Sequence, residues 1–103
     1  MIDLQPDHRA IILRILAQHV PNAEVRVFGS RVTGGAAKYS DIDIAIMDRV
    51  KLSLAALTAL TNAFEESELP FRVDIVDWHG ISGTFQSVIE SRHEVIQQAR
   101  NNA

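Results

Sequence analysis

The chain has 103 residues, of which 47% are hydrophobic, a formal charge of -3 and no cysteine. That length supports one core, so a single domain over residues 1–103 is expected, and disulfides and thiolate metal sites are excluded. Neither a signal-peptide pattern nor an apolar run able to span a bilayer is present, so a cytoplasmic protein with no membrane association is expected. The acidic balance with scattered arginines argues against broad binding to nucleic-acid backbones.

The first predicted element is a helix over Pro6–His19, with Ile12, Ile15, Leu16 and His19 on one face. A short apolar strand, Val25–Phe28, then runs into Gly29-Ser30. A glycine there lets the backbone approach a ligand closely, a serine hydroxyl bonds a phosphate oxygen or caps a turn, and the N–H groups that follow point at an anion. A short helical piece is expected near Arg31–Ala37, followed by a strand over Asp41–Met47. In that strand Ile42, Ile44 and Ile46 alternate with Asp41, Asp43 and Ala45, so both carboxylates leave the face opposite the core. A helix follows over about Leu52–Ser67, with Leu57, Leu60 and Phe64 inward, and Pro70 resets the chain. The strand Phe71–Val76 places Asp74 between apolar neighbours, and Asp77-Trp78-His79-Gly80 leads to a final helix carrying Phe85, Val88, Ile89, Arg92 and Ile96 as a mixed apolar stripe. There is no internal repeat. Helices alternating with short strands give an α/β (α+β) fold, a small mixed sheet flanked by helices.

The chemistry concentrates in the paired acids and the glycine turn. Two carboxylates about 6 Å apart repel by roughly 3 kcal/mol at an effective dielectric near 20, so the pair asks for a cation. Aspartate oxygens suit magnesium, which is usually held by one or two carboxylates together with substrate phosphates. A P-loop is the obvious competitor, because Gly29 and Gly34 have its separation. It fails because Gly35 and Ala36 stand where the lysine and the metal-binding hydroxyl are required. Arg31 is the one basic residue near the glycine turn, placed either to neutralise phosphate charge or to pair with a neighbouring acid. Asp74 reads either as a metal ligand or as an acid paired with Arg72 or Arg26. Ser40 reads as a loop hydrogen-bonding residue, and Glu65, Glu66 and Glu68 as a solvated helix end. His8, His19, His79 and His93 lack metal-ligand spacing.

Gly29, Ser30, Gly34, Ala36, Ser40, Asp41, Ile42 and Asp43, with Ile44 for a leucine, resemble the pattern G-S-x-A-x-G-x-A-x-x-x-S-D-I-D-L of the minimal nucleotidyltransferases in the DNA polymerase beta superfamily. The chain departs from that pattern at Val32, which replaces an alanine, and at Thr33, where many relatives carry a basic residue. The resemblance implies a polymerase-beta-like core with Asp41, Asp43 and Asp74 as catalytic metal ligands. It also implies Gly29, Ser30 and Arg31 as nucleotide-binding residues, two Mg2+ ions, and ATP as the substrate from which AMP is transferred. Small prokaryotic members of the family work with a helical HEPN protein, the pair acting as toxin and antitoxin in a hetero-oligomer. The expectation is therefore an enzyme that adds AMP to such a partner. The alternatives are an inert binding module that neutralises the partner by complex formation, or transfer to a small molecule.

Overall fold

A computed structural model describes residues 2–37 and 39–100. Helix α1, Pro6–His19, starts on proline, whose fixed φ suits the first helical position, and buries Ile12, Ile15 and Leu16. Strand β1, Glu24–Phe28, leads through Gly29 into a single helical turn, α2, Ser30–Thr33. Strand β2 is Ile42–Met47, and helix α3, Leu54–Glu65, is capped by the Ser53 hydroxyl, which accepts from the Ala56 amide at 3.1 Å. Strand β3, Val73–Asp77, is followed by a 3-10 turn at Trp78–Gly80, helix α4 at Gly83–Ser91 and strand β4 at Glu94–Gln97.

The four strands form one mixed sheet in the order β3-β2-β1-β4. β1 is antiparallel to both β2 and β4, whereas β2 and β3 are parallel. The alternation read from the sequence divides the sheet's two faces. Val25, Val27, Ile42, Ile44, Ile46 and Ile96 form the main core with residues from α1 and α3, including Ile12, Leu16, Leu60 and Phe64. A smaller cluster of Ala45, Trp78 and Ile89 covers part of the sheet, with Phe28, Met47, Val76 and Phe85 packed around it. The rest of that second face carries the acids.

Three local expectations are corrected. The final helix does not reach Ile96. It ends at Ser91, Arg92 takes an extended conformation, and Glu94–Gln97 pairs with β1. The β-branched pair Val95-Ile96 fits a pleated edge better than a helix, and Gln97 pins the strand by donating from Nε2 to the carbonyls of Val20 and Ala23 at 2.8 and 2.9 Å. Val88, placed on the apolar stripe, is 59% exposed, and His19 points to solvent at the end of α1. The helical piece near Arg31–Ala37 is limited to Ser30–Thr33, because Gly34 and Gly35 take φ of 99° and 80°.

Ile44, with no exposed surface, tests the core assignment. Ile44→Ala is expected to lower the unfolding free energy by about 2–5 kcal/mol, whereas Val88→Ala changes it by no more than about 0.5 kcal/mol. Urea unfolding of the two variants checks this, and comparable losses would mean that Val88 is packed.

Candidate functional site

Parallel pairing brings the acids together. Register sets Asp43 of β2 directly beside Asp74 of β3, and Asp41 lies two residues before Asp43, just ahead of the strand. Residues paired in register carry their side chains on the same face, about 4.8 Å apart at the backbone. The structure's electrostatics report the same proximity. Asp43 is half-buried, and its carboxyl is pushed above the usual 3.8 first by burial, then by the charge of Asp74, then by that of Asp41.

The glycine turn closes the other side of Asp43. Phe28, the last residue of β1, pairs with Asp43, so Gly29 arrives against that carboxylate. A Cβ on Gly29 would overlap Oδ2 of Asp43 and stand 3.3 Å from its Cγ. The backbone at Gly29, φ 77° and ψ -156°, is also one that side-chain-bearing residues avoid. Beyond it, the Gly29 carbonyl accepts from the amides of Val32 and Thr33 at 3.0 Å. The amides of Ser30 and Arg31, at the start of that turn, have no intrahelical carbonyl to reach.

Arg31 is 5% exposed, and its guanidinium is taken up by backbone carbonyls. Its Nε and Nη2 donate to the Ser40 carbonyl at 3.2 and 2.6 Å, and its Nη1 donates to the Asp3 carbonyl at 3.0 Å. The guanidinium carbon lies 4.5 Å from the centre of the Phe71 ring. One side chain thus ties the glycine turn to the residue before Asp41 and to the segment leading into Asp74. Ser40 completes the loop as the hydrogen-bonding residue expected of it, its Oγ accepting from the Ala37 amide at 2.7 Å.

Asp74 pairs with Arg72, Oδ1 to Nη2 at 3.6 Å, with side chains 43% and 77% exposed. An exposed pair of this length contributes at most about 1 kcal/mol and yields readily to a stronger cation. Arg26, the other partner considered for Asp74, is engaged elsewhere. Its Nε meets Glu24 Oε2 at 2.6 Å and its guanidinium lies over Trp78. Among the described residues no three acid or histidine side chains converge into a ready-made metal cage. The donor set suits magnesium nonetheless. Asp41 and Asp74 both lie within electrostatic reach of Asp43, all three offer hard oxygens, and such an ion takes much of its shell from substrate phosphates.

A family model described as polymerase beta, nucleotidyltransferase matches residues 11–101. The chain belongs to this family. It is 44% identical over 97 residues to the Haemophilus influenzae protein named "Probable protein adenylyltransferase MntA", covering 94% of this chain and 85% of that one. A chain of a toxin-antitoxin crystal structure with AMP-PNP superposes with a TM-score of 0.74 at 25% identity, covering 89% of this chain and 74% of that one. A minimal nucleotidyltransferase structure gives a TM-score of 0.65 at 30% identity, covering 85% of this chain and 88% of that one. The nucleotidyltransferase fold expected from the sequence is the fold of these relatives.

Two residues have structural parts that the reading of the sequence missed. Phe71 became visible only as the ring beneath Arg31. Asp77, an acid three residues after Asp74, is buried and serves as a cap, with its Oδ2 accepting from Leu52 N at 2.7 Å and its Oδ1 from His79 N at 3.0 Å. The spacing Asp77-x-His79 before a turn is the clue that could have separated it from the site acids. Of the histidines, His79 meets the Asp48 carbonyl through Nε2 at 2.7 Å and His93 the Ile89 carbonyl through Nδ1 at 3.0 Å.

Two outcomes follow for Gly29 and Asp43. Gly29→Ala is expected to cost about 1–3 kcal/mol from backbone strain and more from overlap with Asp43. In an Asp43→Ala background only the strain component should remain, and a urea-unfolding double-mutant cycle separates the two. Equal costs in both backgrounds would place Asp43 away from the turn. Because the folded pKa of Asp43 is raised above 3.8, the folded protein holds its proton to higher pH than the unfolded chain does. Stability linked to this group is complete below 3.8 and is lost as pH rises through the raised value. Asp43→Asn, which cannot ionise, should therefore be more stable than the parent at neutral pH in the presence of a chelator, with the advantage vanishing in acid. Urea midpoints across pH measure it, and a variant less stable at neutral pH would contradict the assignment.

Proposed function

We propose that the chain transfers AMP from ATP to a protein acceptor, a helical HEPN-family partner that it holds in check as an antitoxin. The observation that carries this reading is the seating of Asp43 against a glycine that tolerates no side chain, with Asp74 in register beside it and Asp41 two residues before it. Supporting it are the similarity to a relative named as a protein adenylyltransferase and to a toxin-antitoxin structure containing an ATP analogue.

In this reading Asp41, Asp43 and Asp74 would hold Mg2+, with two ions expected. When bound, the metal neutralises phosphate charge and lowers the pKa of the acceptor hydroxyl. The chain's own residues supply the remaining work. The bare backbone of Gly29 lets the triphosphate come close to Asp43, and the Ser30 hydroxyl and the first amides of the turn donate hydrogen bonds to its phosphate oxygens. The acceptor oxygen gives up its proton and attacks the α-phosphorus. The bond between that phosphorus and the bridging oxygen to the β-phosphate breaks, and pyrophosphate leaves with the electron pair. Arg31 acts through position, keeping Ser40 and Asp41 fixed relative to the turn. The reaction draws on ATP, and no helix among the described residues is long and apolar enough to cross a membrane. We accordingly assign the protein to the cytosol.

The experiment is transfer of α-labelled ATP, with and without magnesium, to a HEPN-family protein purified in complex with this chain. Labelling of the acceptor should require magnesium and should fall by about a thousandfold or more in the Asp41→Asn, Asp43→Asn double variant. Equal labelling by the variant would remove these acids from the mechanism. A stable complex that the parent chain never labels would leave a partner-binding antitoxin without transferase activity.

A further inference from the structure

β3 is an edge of the sheet, and its edge is left open. Pairing with β2 uses the backbone groups of alternate residues, as in the bond from Ile42 N to the Arg72 carbonyl at 3.0 Å. By that alternation the peptide groups of Val73 and Ile75 face outward, and no strand among the described residues takes them. None of Val73, Asp74, Ile75 and Val76 is buried, whereas Ile42, Ile44, Ala45 and Ile46 on the neighbouring strand have no exposed surface. Edge strands are normally blunted by charged side chains, proline or a bulge. The charges in Val73–Asp77 are Asp74, which lies on the site face, and Asp77, which is buried as a cap; proline is absent from the strand, and the sheet's irregularity lies at the opposite edge, between β1 and β4.

Two hollows border this edge and share Leu57. One, of about 710 Å³, lies between α3 and β3, with Phe64, Leu69, Val73 and Ile75 as its apolar lining and Asp74 at its margin. The other, of about 440 Å³, continues past Leu54, Val76 and Ile81, and Leu54 is 81% exposed. Glu65 lines the first hollow, and exposed Glu66 and Glu68 follow it in the chain, while the only arginine in the lining, Arg72, is already paired with Asp74. The rim is therefore acidic.

We propose that this edge is where the protein acceptor docks, as an extended segment added beside β3 that presents a side-chain hydroxyl to the acids. The inference rests on the transferase reading above. The geometry of strand addition connects the hollow to the site. A strand added at the usual 4.7–4.9 Å spacing sends alternate side chains to opposite faces. Apolar residues then enter the hollow alongside Val73 and Ile75, and the residue between them emerges on the face of Asp74 and Asp43. A serine, threonine or tyrosine at that position carries its hydroxyl to the acids, and a basic residue at the Glu65 end complements the rim. The docking strand and the reacting group belong to one short segment, so binding and orientation are achieved together.

The test uses the complex of this chain with its HEPN-family acceptor. Amide exchange at Val73 and Ile75 should slow by about tenfold or more in the complex relative to the free chain. Leu57→Arg, which places a charge at the junction of the two hollows, should raise the KM for the acceptor by about tenfold while leaving ATP affinity within about twofold. If that variant melts early, Thr61→Lys on the wall of the first hollow is read in the same way. Labelling retained with unchanged exchange at Val73 and Ile75 would overturn the docking edge and leave the transferase reading intact. Protection without any labelling would support the edge and overturn the transferase reading.

Discussion

Parallel pairing of β2 with β3 is the constraint on which the site depends, because it sets two carboxylates side by side with the exposed Arg72, 3.6 Å from Asp74, as a weak counter-charge. Asp43 meets Asp74 in register, with Asp41 just ahead of the strand, and the carboxyl of Asp43 is held above its ordinary range first by burial and then by those two charges. The main core supplies what this costs. Ile42 and Ile44 flank Asp43 in sequence and are fully buried on the other face. A shift of one residue would turn those isoleucines to solvent and the acids into the core, so hydrophobic burial on one side enforces electrostatic strain on the other.

Around that strained pair the chain is braced at several points. The Arg31 guanidinium is the most connected of them, bonded to the carbonyls of Ser40 and Asp3 and laid on the Phe71 ring. A buried arginine is tolerable because carbonyl oxygens and an aromatic face replace its hydration. Gly29 contributes by absence, since the space a side chain would fill belongs to Asp43. Stability and function pull in opposite directions here, as is usual where a site must hold like charges ready for a cation.

The same topology leaves one of the site acids within reach of a protein surface. With β3 at the edge, Asp74 belongs to both the reacting face and the rim, and the apolar hollow under α3 runs along the same strand. Substrate nucleotide and protein acceptor can then approach from different sides of one carboxylate. A deeper position for Asp74, inside the sheet, would have protected it from solvent and closed it to any macromolecule.

Much of this was legible in the chain itself. The alternation of Ile42, Ile44 and Ile46 with Asp41 and Asp43 assigned both faces of β2, and Pro6–His19 followed from its own periodicity and its proline. Gly29-Ser30 with Asp41-x-Asp43 pointed to the family to which the chain belongs. These are local properties, set by residues within a turn or two of one another. What tertiary structure alone decided depends on partners distant in sequence. Residues 94–97 became a strand because β1 offered an edge, Arg31 turned inward because Ser40 and Asp3 offered carbonyls, and Asp74 came beside Asp43 because two strands separated by a helix paired in one register. Side-chain alternation is a property of the strand itself, whereas register is settled by the packing of the whole sheet.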